Sequence, residues 1–130
     1  MKRPTRKSLV AKLDKLFSMF IRLRDKRVFK GICPLCGTRP QECVFHFITR
    51  SKHSIRWDPR NGVASCFADN IRYEHDQTFV EKVFTWYKLR HGEQAWEDLK
   101  RDGNRIAKHD ISDLRDIKAV LEKLTQEVCK

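Results

Sequence analysis

Cys33-Pro34-Leu35-Cys36-Gly37 opens the stretch that decides the fold, and Ser65-Cys66-Phe67-Ala68-Asp69-Asn70 closes it. Between them lie an apolar run with one histidine, Val44-Phe45-His46-Phe47-Ile48, and a turn-forming sequence, Trp57-Asp58-Pro59-Arg60-Asn61-Gly62. The C-x-x-C spacing offers two thiolates to one metal ion, and Gly37 suits the tight turn that follows them. The same spacing recurs at Cys66 and Asp69, where Ser65 reads as a helix cap and residues three apart share a helix face. The two pairs can grip one zinc ion through Cys33, Cys36, Cys66 and Asp69, with His75 as the alternative fourth ligand. The competing reading makes these thiols ordinary buried residues.

Outward from that stretch, residues 42–50 alternate as a strand, with Cys43, Phe45 and Phe47 on one side and Val44, His46 and Ile48 on the other. Residues 50–60 form a polar, basic loop. Asn61-Gly62 turns into a short strand over 63–65, and a helix follows from Cys66 to Tyr73. Upstream, Leu9, Leu13, Leu16, Phe17, Phe20 and Ile21 recur at helical spacing, predicting a helix over 8–24 capped by Ser8, behind a basic arm over 1–7. Downstream, apolar stripes predict helices over 78–90 and 93–101, then a last helix beginning at Asp110 or Ser112. The expected fold class is α+β: one mainly helical small domain over 1–130, with a zinc-stapled hairpin and helix at 33–75 and C-terminal helices at 78–130.

Charge is distributed unevenly. Residues 1–60 carry 16 Lys and Arg against 4 Asp and Glu, whereas residues 61–130 carry 12 against 13, so the whole excess of the +11 net charge lies in the first half. Such asymmetry predicts a polyanionic partner, nucleic acid first, met by Arg22, Arg24, Lys26, Arg27, Arg50, Lys52 and Arg56. A solvated basic face without a partner is the plainer alternative, and a basic amphipathic helix on a membrane surface is another. No apolar run approaches the roughly 18 residues of a membrane span, and no secretory signal is visible, so the expected compartment is a reducing cytoplasm. There, five cysteines favour metal binding over disulfides.

The order of these elements resembles a known family. Phe-Ser-x-x-Ile-Arg-x-Arg-Asp (17–25), C-x-x-C (33–36), His-Phe-Ile-x-Arg (46–50), Arg-Trp-Asp-x-x-Asn (56–61) and Cys-x-x-x-Asn (66–70) look like the phage NinG/Rap recombination nucleases. These belong to the wider HNH, or ββα-metal, endonucleases. The resemblance implies a metal-dependent endonuclease that hydrolyses DNA, branched or recombining DNA included, in a host cytoplasm if the chain is phage-encoded. It makes His46 the general base, Asn61 the residue that pins the hairpin loop and orients His46, and Asn70 a ligand of a catalytic Mg²⁺ or Mn²⁺. Cys33, Cys36, Cys66 and Asp69 fall at the structural zinc positions, and Arg50 and Arg56 would clamp the phosphate. The alternative from another class is a catalytically silent, zinc-dependent nucleic-acid-binding module. A homodimer is left open.

Overall fold

The computed structural model describes residues 5–129. Its elements are α1 (Arg6–Val28), β1 (Cys43–His46), a 3-10 turn (Pro59–Asn61), β2 (Gly62–Ser65), α2 (Phe67–His75), α3 (Gln77–His91), α4 (Glu93–Gly103) and α5 (Ile111–Cys129). The fold is α+β and mainly helical, with one two-stranded antiparallel sheet among the described residues. None of these helices is long and apolar enough to cross a membrane.

α1 is longer than its apolar pattern at both ends. Thr5 rather than Ser8 is the cap: its hydroxyl accepts from the Ser8 amide at 3.1 Å, which draws Arg6 and Lys7 into the first turn. Of the expected basic arm, residues 1–4 lie outside the described residues. At the other end no glycine or proline intervenes before Gly31, so the helix runs on to Val28. α5 begins with a reciprocal cap in which the Asp110 amide donates to Asp113 and the Asp113 amide to Asp110, at 3.0 and 2.8 Å.

The sheet lies between two apolar clusters. Phe45, Phe47 and Val63 project into a cluster with Phe79, Val83, Tyr87, Trp96 and Leu99 of α3 and α4. Val44 and Ala64 face the other way, against Leu13, Phe17 and Ile21 of α1 and Leu114 and Leu121 of α5. This alternation follows from the two-residue period of a strand and agrees with the faces expected for Val44, Phe45 and Phe47, whereas Ile48, expected beside Val44, packs with the Phe47 cluster because the strand has ended at His46.

β1 is shorter than the expected strand, and Asn61 is the reason. The register pairs Cys43 with Ser65 and His46 with Gly62, where β2 begins. Beyond it, the fully buried Asn61 side chain takes over, accepting from the Ile48 amide at 2.8 Å and donating to the Ile48 carbonyl at 2.9 Å. The amide therefore substitutes for ladder bonds and lets the chain leave the sheet without stranding backbone groups.

α1 is tied to the sheet by buried charge. Asp25, 2% exposed, accepts from the Ala64 amide at 2.8 Å and from Arg24 at 2.7 Å. Arg24 in turn donates to the carbonyls of Pro59 and Gly62 at 2.9 and 2.8 Å. Nearer the N-terminus, Asp14 accepts from Arg56 at 3.1 and 2.8 Å and from the Trp57 indole at 2.9 Å, docking the loop onto the helix.

Candidate metal centre and adjoining cleft

The metal-ligand reading of the two spaced pairs is realised in space. One donor atom each from Cys33, Cys36, Cys66 and Asp69 lies within 4.8 Å of all the others. A tetrahedral ion about 2.3 Å from its sulfurs sets them roughly 3.8 Å apart, so the four can close on one ion with little movement. His75 is not a member of the cluster; it sits exposed at the end of α2, 3.9 Å from Glu74.

Local backbone builds the centre. The Cys33 amide donates to the Arg39 carbonyl and the Gly37 amide to the Cys33 carbonyl, a turn that places Gly37 at φ +73°. Cys66, not the expected Ser65, caps α2: its sulfur accepts from the Asp69 amide at 3.4 Å, while Ser65 still belongs to β2. Burial pushes the Cys33 thiol up to about 12 and the Cys66 thiol upward as well. Burial opposes the Cys36 thiolate too, but the amides of Thr38 and Arg39 outweigh it and hold that thiol below its usual value.

The donor set fits a zinc-like cation. Asp69 is 2% exposed and its Oδ2 lies 3.3 Å from the Cys33 sulfur. A buried carboxylate among thiols, with no basic side chain of the described residues in ion-pair contact, is costly unless a cation joins it. The cluster can hold a metal ion, which would tie residues 33–36 to the start of α2.

Beside this centre is a cleft of about 690 Å³ lined by Val44, His46, Thr49, Arg50, Asn70, Tyr73 and Glu74. β1 supplies His46 at its last position, and its ring packs against Phe17 with centroids 5.4 Å apart. α2 supplies Asn70 and Glu74, which share a helix face four residues apart. The Asn70 amide donates to the Cys43 sulfur at 3.6 Å, and the Tyr73 hydroxyl to the Phe47 carbonyl at 2.8 Å. Glu74 has no counterpart in the sequence reading, because the expected helix stopped at Tyr73; carrying the four-residue period from Asn70 one position further would have found it. Asn61 lies at the base of the hairpin and holds Ile48, two residues beyond His46, rather than His46 itself. Glu42, just before β1, accepts from the Phe67 amide at 3.3 Å, at the start of α2.

Burial, then the Arg50 cation, lowers the His46 pKa to about 4. Below its unfolded value near 6.5 the unfolded chain takes up a proton that the native state refuses, so acid favours unfolding. The native protein should therefore lose up to about 3 kcal/mol between pH 6.5 and 4 through this residue. Thermal melts across that window check it: His46→Gln should flatten the acid limb relative to wild type, and an unchanged limb would show that His46 titrates normally.

The basic residues separate into two groups. Arg22, Lys26, Arg27, Arg50 and Lys52 are exposed, and Lys15, Arg22 and Lys26 line a shallow groove of about 780 Å³ along α1 that also reaches Gly31 and Gln41. Arg24 and Arg56, expected to meet phosphate, are instead committed to the interior. Arg24 is held by Asp25 and two carbonyls, and Arg56, 16% exposed, by Asp14. Arg50, 59% exposed, touches Asp14 only loosely at 3.8 Å and keeps its place at the cleft.

No family model, curated protein or solved structure matches this chain.

Proposed function

We propose that this chain is a zinc-stabilised, metal-dependent endonuclease of the HNH type that hydrolyses phosphodiester bonds in DNA, branched DNA included. One observation carries the reading: a histidine at the end of a hairpin strand, its pKa lowered by burial, shares a cleft with two oxygen donors, Asn70 and Glu74, one turn apart on the following helix. An amide carbonyl and a carboxylate suit a hard cation such as Mg²⁺ or Mn²⁺. When bound, that ion would supply charge stabilisation at the leaving oxygen.

The chain's own groups account for the rest. His46 is neutral at physiological pH and free to accept the proton of the attacking water while the water oxygen bonds phosphorus and the bridging P–O bond breaks. Arg50 neutralises a non-bridging oxygen. The phosphate in turn offsets the Arg50 cation that lowers His46, which raises the imidazole toward the range where a general base works best. Asn61 holds the hairpin base that carries His46.

The test is nicking of supercoiled plasmid and of a four-way junction by zinc-loaded protein. Cleavage is expected with Mg²⁺ or Mn²⁺ and not without either. Binding without cleavage under all these conditions would overturn the nuclease reading in favour of a silent zinc-dependent binding module.

The exposed face of α1 is the proposed path for DNA. On a duplex, the slope of log affinity against log salt falls by about 0.9 for each phosphate that the protein ceases to neutralise. Changing Arg22, Lys26 and Arg27 together to glutamine should weaken binding and flatten the slope by up to about three units. Changing Lys118 and Lys123 of α5 in the same way should do neither. A larger effect from the α5 pair, read by fluorescence anisotropy over a salt series, would move the binding face.

A further inference from the structure

On the other face of the hairpin from His46 lies a second pocket, of about 440 Å³, that the proposed chemistry does not use. Phe47, 4% exposed, and Tyr87, 2% exposed, form its floor, and the half-buried Phe29 and Trp86 form its walls. Trp86 lies nearly parallel to Phe47, 16° between planes at 6.0 Å, with Phe29 6.2 Å away on another side. Its indole N–H donates to no acceptor among the described residues. Three guanidinium groups reach the pocket, and two of them are neutralised: Arg24 by Asp25 at 2.7 Å, and Arg60 by Asp58 and Asp102 at 2.6 and 2.9 Å. The third, Arg90, is exposed, sits 4.5 Å from the Phe29 ring centroid and pairs with no carboxylate of the described residues.

We propose that this pocket takes one unpaired nucleotide, its base against Trp86 and Phe29 and its phosphate on Arg90. Aromatic walls hold any planar π-system through its face, and a single uncompensated guanidinium at the mouth selects one that carries an anion. The volume falls in the range of about 300–1,000 Å³ typical of small-ligand sites. The basic surface leads to it: Lys26, Arg27 and Lys30 are exposed on the last turn of α1 and just beyond, flanking the Val28 and Phe29 that line the pocket. A strand lying in the α1 groove can thus turn around the helix end and lodge one splayed base. The inference rests on the reading that the partner is nucleic acid, and not on whether the chain cuts it.

Two-dimensional ¹H–¹⁵N NMR of the full-length, zinc-loaded chain tests it, with dAMP, deoxyadenosine, inorganic phosphate and an acidic aromatic peptide as probes. Millimolar dAMP should shift the Trp86 indole resonance. Deoxyadenosine should bind about fivefold more weakly for want of the phosphate, and phosphate alone should leave Trp86 unmoved. Arg90→Gln, an exposed change that leaves the core intact, should weaken dAMP about fivefold, and Trp86→Leu about tenfold. His46→Ala should bind dAMP as wild type does. An unmoved Trp86 indole, wild-type affinity in Arg90→Gln, or tighter binding of the peptide than of dAMP would each overturn the assignment. Binding of dAMP by a protein that never nicks DNA would sustain this site while removing the nuclease reading, and nicking without dAMP binding would do the reverse.

Discussion

Cys66→Ser should cost the protein its cooperative fold, and a zinc chelator should do the same to the wild type. Besides the ion, the region it would hold is fixed mainly by Leu35 at the edge of an apolar cluster and by the Gln41 side chain, which donates to the Asp25 and Ile32 carbonyls. Residues 31–41 contribute an isolated bridge between Ile32 and Pro40 and a few turn hydrogen bonds, and Ile32 is 39% exposed. Structural zinc in small domains contributes an apparent 10–16 kcal/mol, comparable to or larger than the whole stability of a typical domain, about 5–15 kcal/mol. Serine replaces a thiolate with a weaker, neutral ligand at a fully buried position. Asp69→Cys, in contrast, supplies a fourth thiolate at the same place and should retain or tighten the ion. The checks are metal content of protein purified without chelator and the thermal transition followed by circular dichroism. Zinc-free protein with a sharp transition, or a melt indifferent to chelator, would reject the staple.

His46→Ala should lower divalent-dependent nicking by about 10²–10⁴-fold, the usual contribution of a general base, while changing DNA affinity little. His46→Gln keeps most of the volume packed against Phe17 and should be as inactive, which separates loss of the base from loss of packing. Glu74→Gln should act differently. Because its carboxylate is exposed and belongs to the proposed ligand pair, removing the charge should raise the Mg²⁺ concentration needed for half-maximal rate and leave the thermal transition in place. Equal cleavage by wild type and His46→Ala would show that any activity comes from elsewhere on the chain.

Several features were legible because their causes are local. The C-x-x-C pair and the matching Cys66 and Asp69 spacing are short-range patterns, and a metal centre needs only that two such pairs meet. The alternation of Val44, Phe45 and Phe47 and the stripes of α3, α4 and α5 likewise follow from the periods of strand and helix. The turn expected at Asn61-Gly62 falls earlier, over Pro59–Asn61, where Asp58 caps it, and Gly62 is already extended as the first residue of β2. Boundaries were less legible: Thr5 displaced Ser8 as the cap of α1, and the Asn61 side chain ended β1 at His46 by taking the backbone groups of Ile48.

By itself the sequence determined the fold class, the two spaced pairs that can hold a metal ion and the concentration of positive charge in residues 1–60, because composition and spacing act over a few residues or over the whole chain; that Asp69 rather than His75 completes the cluster was decided only by the fold. Tertiary structure alone decided which of those charges face water. Arg56 finds Asp14 across 42 residues, and Arg24 finds carbonyls 35 and 38 residues away, so neither remains free for phosphate. It also decided that Glu74 would share a cleft with His46, and that Phe29, Phe47 and Trp86 would enclose a pocket beside Arg90. The physical reason is common to all of these: a buried charge or ring takes its neighbours from whichever segments pack against it, and that choice is made by close packing of distant elements, which no local pattern records.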